Sequence, residues 1–261
     1  MSRSIVKTVT IDAPPDVVWK ALTEADELIR WFPVEARVQA GLGGRVWLSW
    51  GPGVEGEAPI TAWEPNRRFG WTETRGPVKL AIDFHLEASG GPTVVRLVQS
   101  GFGDGAEWDD EFHMTEGGWS YFVEHLRWYL ERHRGTPRDL VSFREAVPMP
   151  RPEAFERLLA ALGLPVEGAG RTEAAPVPYE TVTPSGDRLS GTVVAASPGT
   201  GQLGFTIREI GDAIAFIETE PHPGGSRPAF WLSTYGLGGR LQEVKDRFAA
   251  LYASAFSSVQ R

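Results

Sequence analysis

No cysteine occurs among the 261 residues, which excludes disulfides, thiolate nucleophiles and cysteine-ligated zinc. Lysine is scarce, standing only at positions 7, 20, 79 and 245 with arginine used elsewhere, which reads as compositional bias. The five histidines, His85, His113, His125, His133 and His222, include no His-x-x-x-His pair and no close carboxylate partner of the kind a metal site needs. Solvated or hydrogen-bonded histidines are expected instead, and no metal or other cofactor. No stretch approaches the roughly 18 apolar residues of a membrane span, and MSRSIVKTVTID has no signal-peptide core. The default is therefore a soluble cytoplasmic protein. An excess of positive charge is also missing: the formal net charge is −8, which argues against a general nucleic-acid partner.

Other motifs fail in context. Gly41-Leu42-Gly43-Gly44 is followed by a strand, and Gly236-Leu237-Gly238-Gly239 opens a helix after which no strand completes a βαβ unit, so neither reads as a nucleotide loop. No nucleophile elbow occurs. The acidic run Asp104, Glu107, Asp109, Asp110, Glu111 lacks calcium-loop spacing and is expected as a solvated loop.

What is present in quantity is aromatic: 10 Trp and 13 Phe, enough for a packed core. Thr115 to Arg134 carries Trp119, Phe122, Val123, Leu126 and Leu130 at helical spacing, with Thr115 as the expected cap. Before it, Ser4–Asp12 alternates as a strand, Pro14-Pro15 opens a short helix, and a second short helix runs over Glu24–Trp31. Arg45–Trp50, Glu55–Trp63, Arg68–Thr74, Val78–Ala88 and Thr93–Ser100 read as strands joined by short turns, an antiparallel meander. The expected class is α+β, a curved antiparallel sheet closed by one long helix.

The second half repeats that order. Thr136–Arg151, with four prolines nearby, is expected as a linker, and Phe155, Leu158, Leu159 and Leu162 mark a short helix. Gly163–Pro178 is expected to loop over the surface. Strands follow at Arg188–Ala196, Gln202–Glu209, Ala213–Thr219 and Ala229–Tyr235, then a helix over Gly239–Phe256. Gly191-Thr192-Val193, Pro198 and Leu203-Gly204-Phe205-Thr206 echo Ile60, Pro65 and Phe69-Gly70-Trp71-Thr72 with one residue inserted. Residues 152–261 are thus expected as a shortened copy of 1–135, with any cavity of its own open or small.

Particular residues carry a resemblance. Ile11-Asp12-Ala13-Pro14 precedes Val18-Trp19-Lys20-Ala21-Leu22-Thr23; then come Trp31-Phe32-Pro33, Gly43-Gly44-Arg45 and Trp63-Glu64-Pro65-Asn66-Arg67-Arg68-Phe69 with Trp71-Thr72. Thr93 through Gln99-Ser100-Gly101-Phe102 and Gly117-Gly118-Trp119 with Leu126 and Tyr129-Leu130-Glu131 complete the set. In this order, residues 3–134 resemble the SRPBCC (START-like, pollen-allergen-like) superfamily, within it the bacterial branch named after the activator of the heat-shock protein 90 ATPase. The resemblance implies a helix-grip fold with a cavity between sheet and long helix. It does not imply one activity, since fold does not settle function.

The candidate lining of that cavity is Trp31, Phe32, Trp50, Trp63, Trp71, Phe84, His85, Trp119, Phe122 and Val123, an aromatic concavity of the kind that holds small molecules. Asp83, His85 and Glu87 share one strand face; turned inward, His85 would meet a ligand or act as a base. The leading reading is non-catalytic binding of an apolar or aromatic small molecule. The runner-up is a protein-interaction module contacting a chaperone or regulator, against which stands a resemblance to only the START-like half of the eukaryotic activators. A third is a cyclase- or hydrolase-like enzyme using His85, Asp83 or Glu57.

Overall fold

The computed structural model describes residues 2–76, 78–164 and 176–257. The chain divides into two compact units, Met1–Thr136 and Pro137–Arg261.

The first unit runs β1 (Arg3–Ile11), α1 (Pro15–Thr23), α2 (Ala25–Leu28), β2 (Glu35–Gln39), β3 (Arg45–Ser49), β4 (Glu55–Glu64), β5 (Arg68–Arg75), β6 (Val78–Ala88), β7 (Thr93–Phe102) and α3 (Asp109–Trp128), which continues as a π-helical segment over Tyr129–His133. Its seven strands form one antiparallel sheet in the order β1-β7-β6-β5-β4-β3-β2. Alternation explains the strands. In β6, Leu80, Ile82, Phe84 and Leu86 are buried while the residues between them are partly exposed, so one face packs and the other meets solvent. Pro15 opens α1 after an extended Pro14, with Asp16 in the first turn, where a fixed φ and a negative charge both suit a helix start. Gly44 closes the β2–β3 turn, and a Cβ there would sit 1.9 Å from the Gln39 carbonyl oxygen.

Two expectations for this unit are corrected. Strand β2 falls where none was expected. Its five residues offer only Ala36 and Val38 to the core side, and it is held by pairing Val38 with Val46 and Ala36 with Leu48. Helix α3 begins at Asp109, not at Thr115, and the acidic run is not simply a solvated loop. Asp109, Asp110 and Glu111 form the first helical turn, where carboxylates complement the helix dipole. Arg3 anchors this start: its guanidinium donates to Asp109 Oδ1 at 2.6 Å and to the Gly103 carbonyl at 2.8 Å, and lies over Phe112.

The second unit runs β8 (Arg138–Arg144), α4 (Arg151–Ala161), β9 (Val177–Val182), β10 (Arg188–Ser197), β11 (Gln202–Ile207), β12 (Ala213–His222), β13 (Gly225–Tyr235) and α5 (Leu241–Phe256). The sheet order is β8-β13-β12-β11-β10-β9. Its first strand thus pairs with its last, and the rest follow in reverse sequence order, as in the first unit. The copy is shorter by one strand and one helix. The stretch expected as a linker, 136–151, instead holds β8, paired with β13 from Arg138↔Tyr235 to Arg144↔Ala229. Pro137 and Pro148 lie outside the strand, so no ladder donor is lost and the prolines are compatible with pairing. Strand β9 was likewise not expected. Of the Gly163–Pro178 stretch expected as a surface loop, residues 165–175 lie outside the described residues.

The repeat phrase marks a structural identity. Across β4 and β5, Ile60 pairs with Trp71, Ala62 with Gly70, Trp63 with Phe69 and Glu64 with Arg68, with a bulge between Ile60 and Ala62. Across β10 and β11, Val193 pairs with Phe205, Ala195 with Gly204, Ala196 with Leu203 and Ser197 with Gln202, with a bulge between Val193 and Ala195. The same hairpin recurs with its bulge in the same place, the extra residue lying in the turn. An extra residue on one strand reverses which side chains share a face.

The second unit's core packs α4 and α5 on β13 and its neighbours. Phe230 and Phe248 stack at 5.2 Å with rings 5° apart. Tyr252 donates to the Pro228 carbonyl at 2.8 Å, and burial pushes its phenol up to about 12. Beside them lies an apolar cleft of ≈ 10 Å³ bounded by Leu158, Phe230, Phe248 and Tyr252, room for no more than about one water molecule.

Candidate functional site

In the first unit the aromatic side chains form a single connected wall between the sheet and its helices. Phe69 lies 5.5 Å from Trp71, Trp71 6.0 Å from Phe84, Phe84 5.9 Å from Trp119, and Trp119 5.2 Å from Phe32. Phe32 is the junction, touching Trp31 (5.0 Å), Trp50 (5.1 Å) and Phe122 (4.8 Å) as well. Edge-on and offset contacts dominate, the arrangements that the ring quadrupoles favour.

Nine of the ten candidate residues lie on this side of the sheet or on the elements facing it. Trp31, Phe32, Trp71, Phe84, Trp119 and Val123 are buried, whereas Trp50, Trp63 and Phe122 keep partial exposure. Trp63 stands at the far end of the wall, against Phe69 at 5.7 Å and Trp19 at 5.1 Å. The bulge after Ile60 is what turns it to this face, since Ile60 and Trp63 would otherwise point to opposite sides. Trp31 is fixed from behind, its indole N–H donating to the Ala21 carbonyl at 2.8 Å.

His85 is the exception. The buried alternation of β6 puts Phe84 on the aromatic side and His85 with Asp83 on the other. There Asp83 accepts two hydrogen bonds from Arg68, at 2.9 and 2.7 Å. His85 therefore does not reach the wall, because a strand cannot send adjacent residues to one face without a bulge. Among the described residues no group of three His, Asp or Glu side chains is placed to hold a metal ion, and no helix is long and apolar enough to cross a membrane. His125, expected as solvated or hydrogen-bonded, is 1% exposed, with Tyr121 at 5.3 Å.

Two participants were not foreseen as site residues. Trp19 of α1 joins Trp63 and Phe69. Gln99 lies on the inward face of β7 with Val95 and Leu97, is 6% exposed, and accepts the Trp119 indole N–H through Oε1 at 2.5 Å. The signal for Gln99 was the β7 alternation itself, in which a polar residue occupies an inward position.

A polar lock closes the helix end of the unit. The buried Tyr129 hydroxyl donates to Glu27 Oε2 at 2.6 Å and accepts from Arg30 at 3.2 Å and from the Gly135 backbone N–H at 3.1 Å. Burial, then the bond to Glu27, raises its phenol above the ordinary value. This ties α2, and with it the Trp31-Phe32 segment, to the π-helical end of α3. On α3 itself, burial raises the Glu124 carboxyl against the opposing pull of Arg127 at 2.5 Å. In the second unit Glu218 accepts the Trp231 indole N–H at 2.9 Å, and burial, reinforced by neighbouring Glu220, pushes its carboxyl up to about 7.

Comparison with known proteins adds the following. A protein from Mesorhizobium loti of known structure is 25% identical, over 51% of this chain and 99% of its own, with a TM-score of 0.46. The Aha1 dimer from Colwellia psychrerythraea is 24% identical, over 51% of this chain and 99% of its own, with a TM-score of 0.46. The di-domain ARO/CYC BexL from the BE-7585A biosynthetic pathway is 13% identical over 99% of both chains, with a TM-score of 0.44. At such TM-scores these likenesses say nothing of what the chain binds or catalyses. No curated protein matches the sequence. Residues 12–131 match the family described as Activator of Hsp90 ATPase homolog 1-like protein, a span that takes in both short helices, the whole aromatic wall and all of α3. The first unit of this chain belongs to that family.

Proposed function

We propose that the first unit is a non-catalytic binding module for an apolar or aromatic small molecule, held between the sheet and α3. The observation that carries this reading is the aromatic wall from Trp71 through Phe84 and Trp119 to Phe32, ending in the partly exposed Trp50 and Phe122. One helical turn before Phe122, the partly exposed Gly118 would place a Cβ with nothing within 4 Å, so the helix is open to solvent on that side. A planar apolar ligand entering there gains ring contacts on several sides without displacing a charged pair.

Titration with fatty acids and flavonoid-like aromatics, followed by tryptophan fluorescence, tests the reading. The expected result is saturable quenching by at least one class, weakened in Phe122→Ala. No saturable change with any ligand would remove the proposal and favour the protein-interaction role that the family's description names.

A further inference from the structure

Phe32 is surrounded as an aromatic guest would be. It lies nearly parallel to two indoles, Trp31 at 5.0 Å and 18° and Trp119 at 5.2 Å and 27°. It meets two further rings edge-on, Trp50 at 5.1 Å and 82° and Phe122 at 4.8 Å and 83°. Stacked and edge-on contacts are the two arrangements that ring quadrupoles favour, and here one ring receives both. The chain's own side chain takes that place and is 6% exposed in it. Trp50 and Phe122 keep partial exposure beside it, so this end of the wall adjoins solvent.

The backbone that carries Phe32 uses its N–H groups internally. Those of Glu27, Leu28, Ile29, Arg30, Trp31 and Phe32 donate to carbonyls within residues 24–28. Pro33 has no N–H, and pairing with β3 begins at Val34, which donates to the Ser49 carbonyl at 2.9 Å. A shift of α2 and Phe32 therefore breaks none of these bonds. Side chains restrain it instead. The indole of Trp31 is fixed to the Ala21 carbonyl, which supplies a pivot, and the Tyr129 hydroxyl holds Glu27 at 2.6 Å and Arg30 at 3.2 Å. Removing that hydroxyl alone leaves every ring of the wall in place.

We infer that Phe32 is an autoinhibitory plug: its ring occupies the position that a ligand's aromatic ring takes against Trp119, and binding displaces it together with α2. This rests on the proposed binding function and assigns its regulation. The bound state lacks the Tyr129 lock, so lock and ligand oppose one another. Apparent affinity is the intrinsic affinity reduced by the fraction of molecules in which the plug is out, and a change that loosens the lock tightens binding. By the same linkage the ligand loosens α2. A ligand entering a preformed space would do the reverse and protect that segment.

The test titrates flavone, a neutral planar aromatic, into the full chain by tryptophan quenching, wild type and Tyr129→Phe. Loss of about one net hydrogen bond of restraint predicts that the variant, although less stable, binds about 5–10-fold more tightly. Hydrogen exchange over residues 24–33 of wild type is measured with and without saturating flavone, and is expected to accelerate in its presence. Equal or weaker binding by Tyr129→Phe, or slowed or unchanged exchange over 24–33 on adding flavone, overturns the inference and leaves the binding function standing. Absence of saturable quenching in both proteins overturns the inference together with the aromatic-ligand reading it rests on. Should Tyr129→Phe not fold, Glu27→Ala, which removes the acceptor of the lock from a partly exposed position, takes its place with the same expectation.

Discussion

Phe32 lies 5.2 Å from Trp119 with the two rings 27° apart, so the segment after α2 is clamped directly onto the middle of α3. Since Phe32 is 6% exposed and touches four aromatic rings, Phe32→Ala is expected to cost about 3–5 kcal/mol. Phe122 keeps partial exposure and stands where the helix is open, so Phe122→Ala should cost clearly less stability. It should instead weaken aromatic ligand binding by about tenfold, equivalent to about 1.4 kcal/mol. Urea unfolding of both variants, with titrations on the second, checks this. Equal stability losses would make Phe122 ordinary core.

Tyr129 holds three partners with one hydroxyl. Tyr129→Phe keeps the ring and removes all three hydrogen bonds, with an expected loss of about 1–3 kcal/mol. The local consequence is sharper: hydrogen exchange should accelerate over residues 24–33, which the lock ties to α3, more than over β6 and β7. A uniform change across the unit would show that the lock does not act on α2.

Glu218 gives a pH dependence of definite sign. Its carboxyl is raised to about 7 in the folded protein, above its value of roughly 4.3 in an unfolded chain. Between those two values the folded state holds a proton that the unfolded state has released. Stability contributed by this group therefore falls as pH rises through about 4.3 to 7, and the penalty persists above 7. Glu218→Gln keeps an oxygen for the Trp231 indole and cannot ionise, so it should be more stable than wild type at pH 8 and similar at pH 4.5. Thermal unfolding of both proteins across this range is the measurement. An unchanged pH slope in the variant would assign the effect to other groups.

Strand β8 makes a prediction about fragments. Residues 137–261 contain the complete ladder, whereas 150–261 loses β8 and leaves the β13 edge from Ala229 to Tyr235 without its partner. The first fragment is expected to unfold cooperatively and the second to be far less stable and prone to associate. Residues 1–136, with every strand of their own sheet, should also unfold cooperatively. Equal melting behaviour of the two second-unit fragments would show β8 to be dispensable.

The strongly alternating strands β1 and β3 to β7, and the apolar stripe of α3, were legible because one buried face repeats every second or every 3.6 residues. The doubling of the fold was legible too, in the phrase shared by residues 60–72 and 193–206. Weaker segments were not. β2 has two small apolar residues to show, and β8 sits among prolines that look like a linker until β13 lies beside it. The start of α3 was hidden because an acidic run reads equally as loop or as first helical turn, and only the helix dipole decides between them.

For the candidate site, residue identity alone determined that the unit is rich in aromatic rings and lacks metal and thiolate chemistry of the cysteine kind. Alternation also divided β6 into two sets, Phe84 with its even neighbours and His85 with its odd ones. Which set faces α3, and that Trp63 joins Phe69 through a one-residue bulge, were decided by strand pairing, because a ladder's register depends on partners distant in the chain. The orientation of the Gln99 amide was decided later still. It depends on a single donor, the Trp119 indole, arriving from another element at hydrogen-bonding distance, and no local property of either residue implies that meeting.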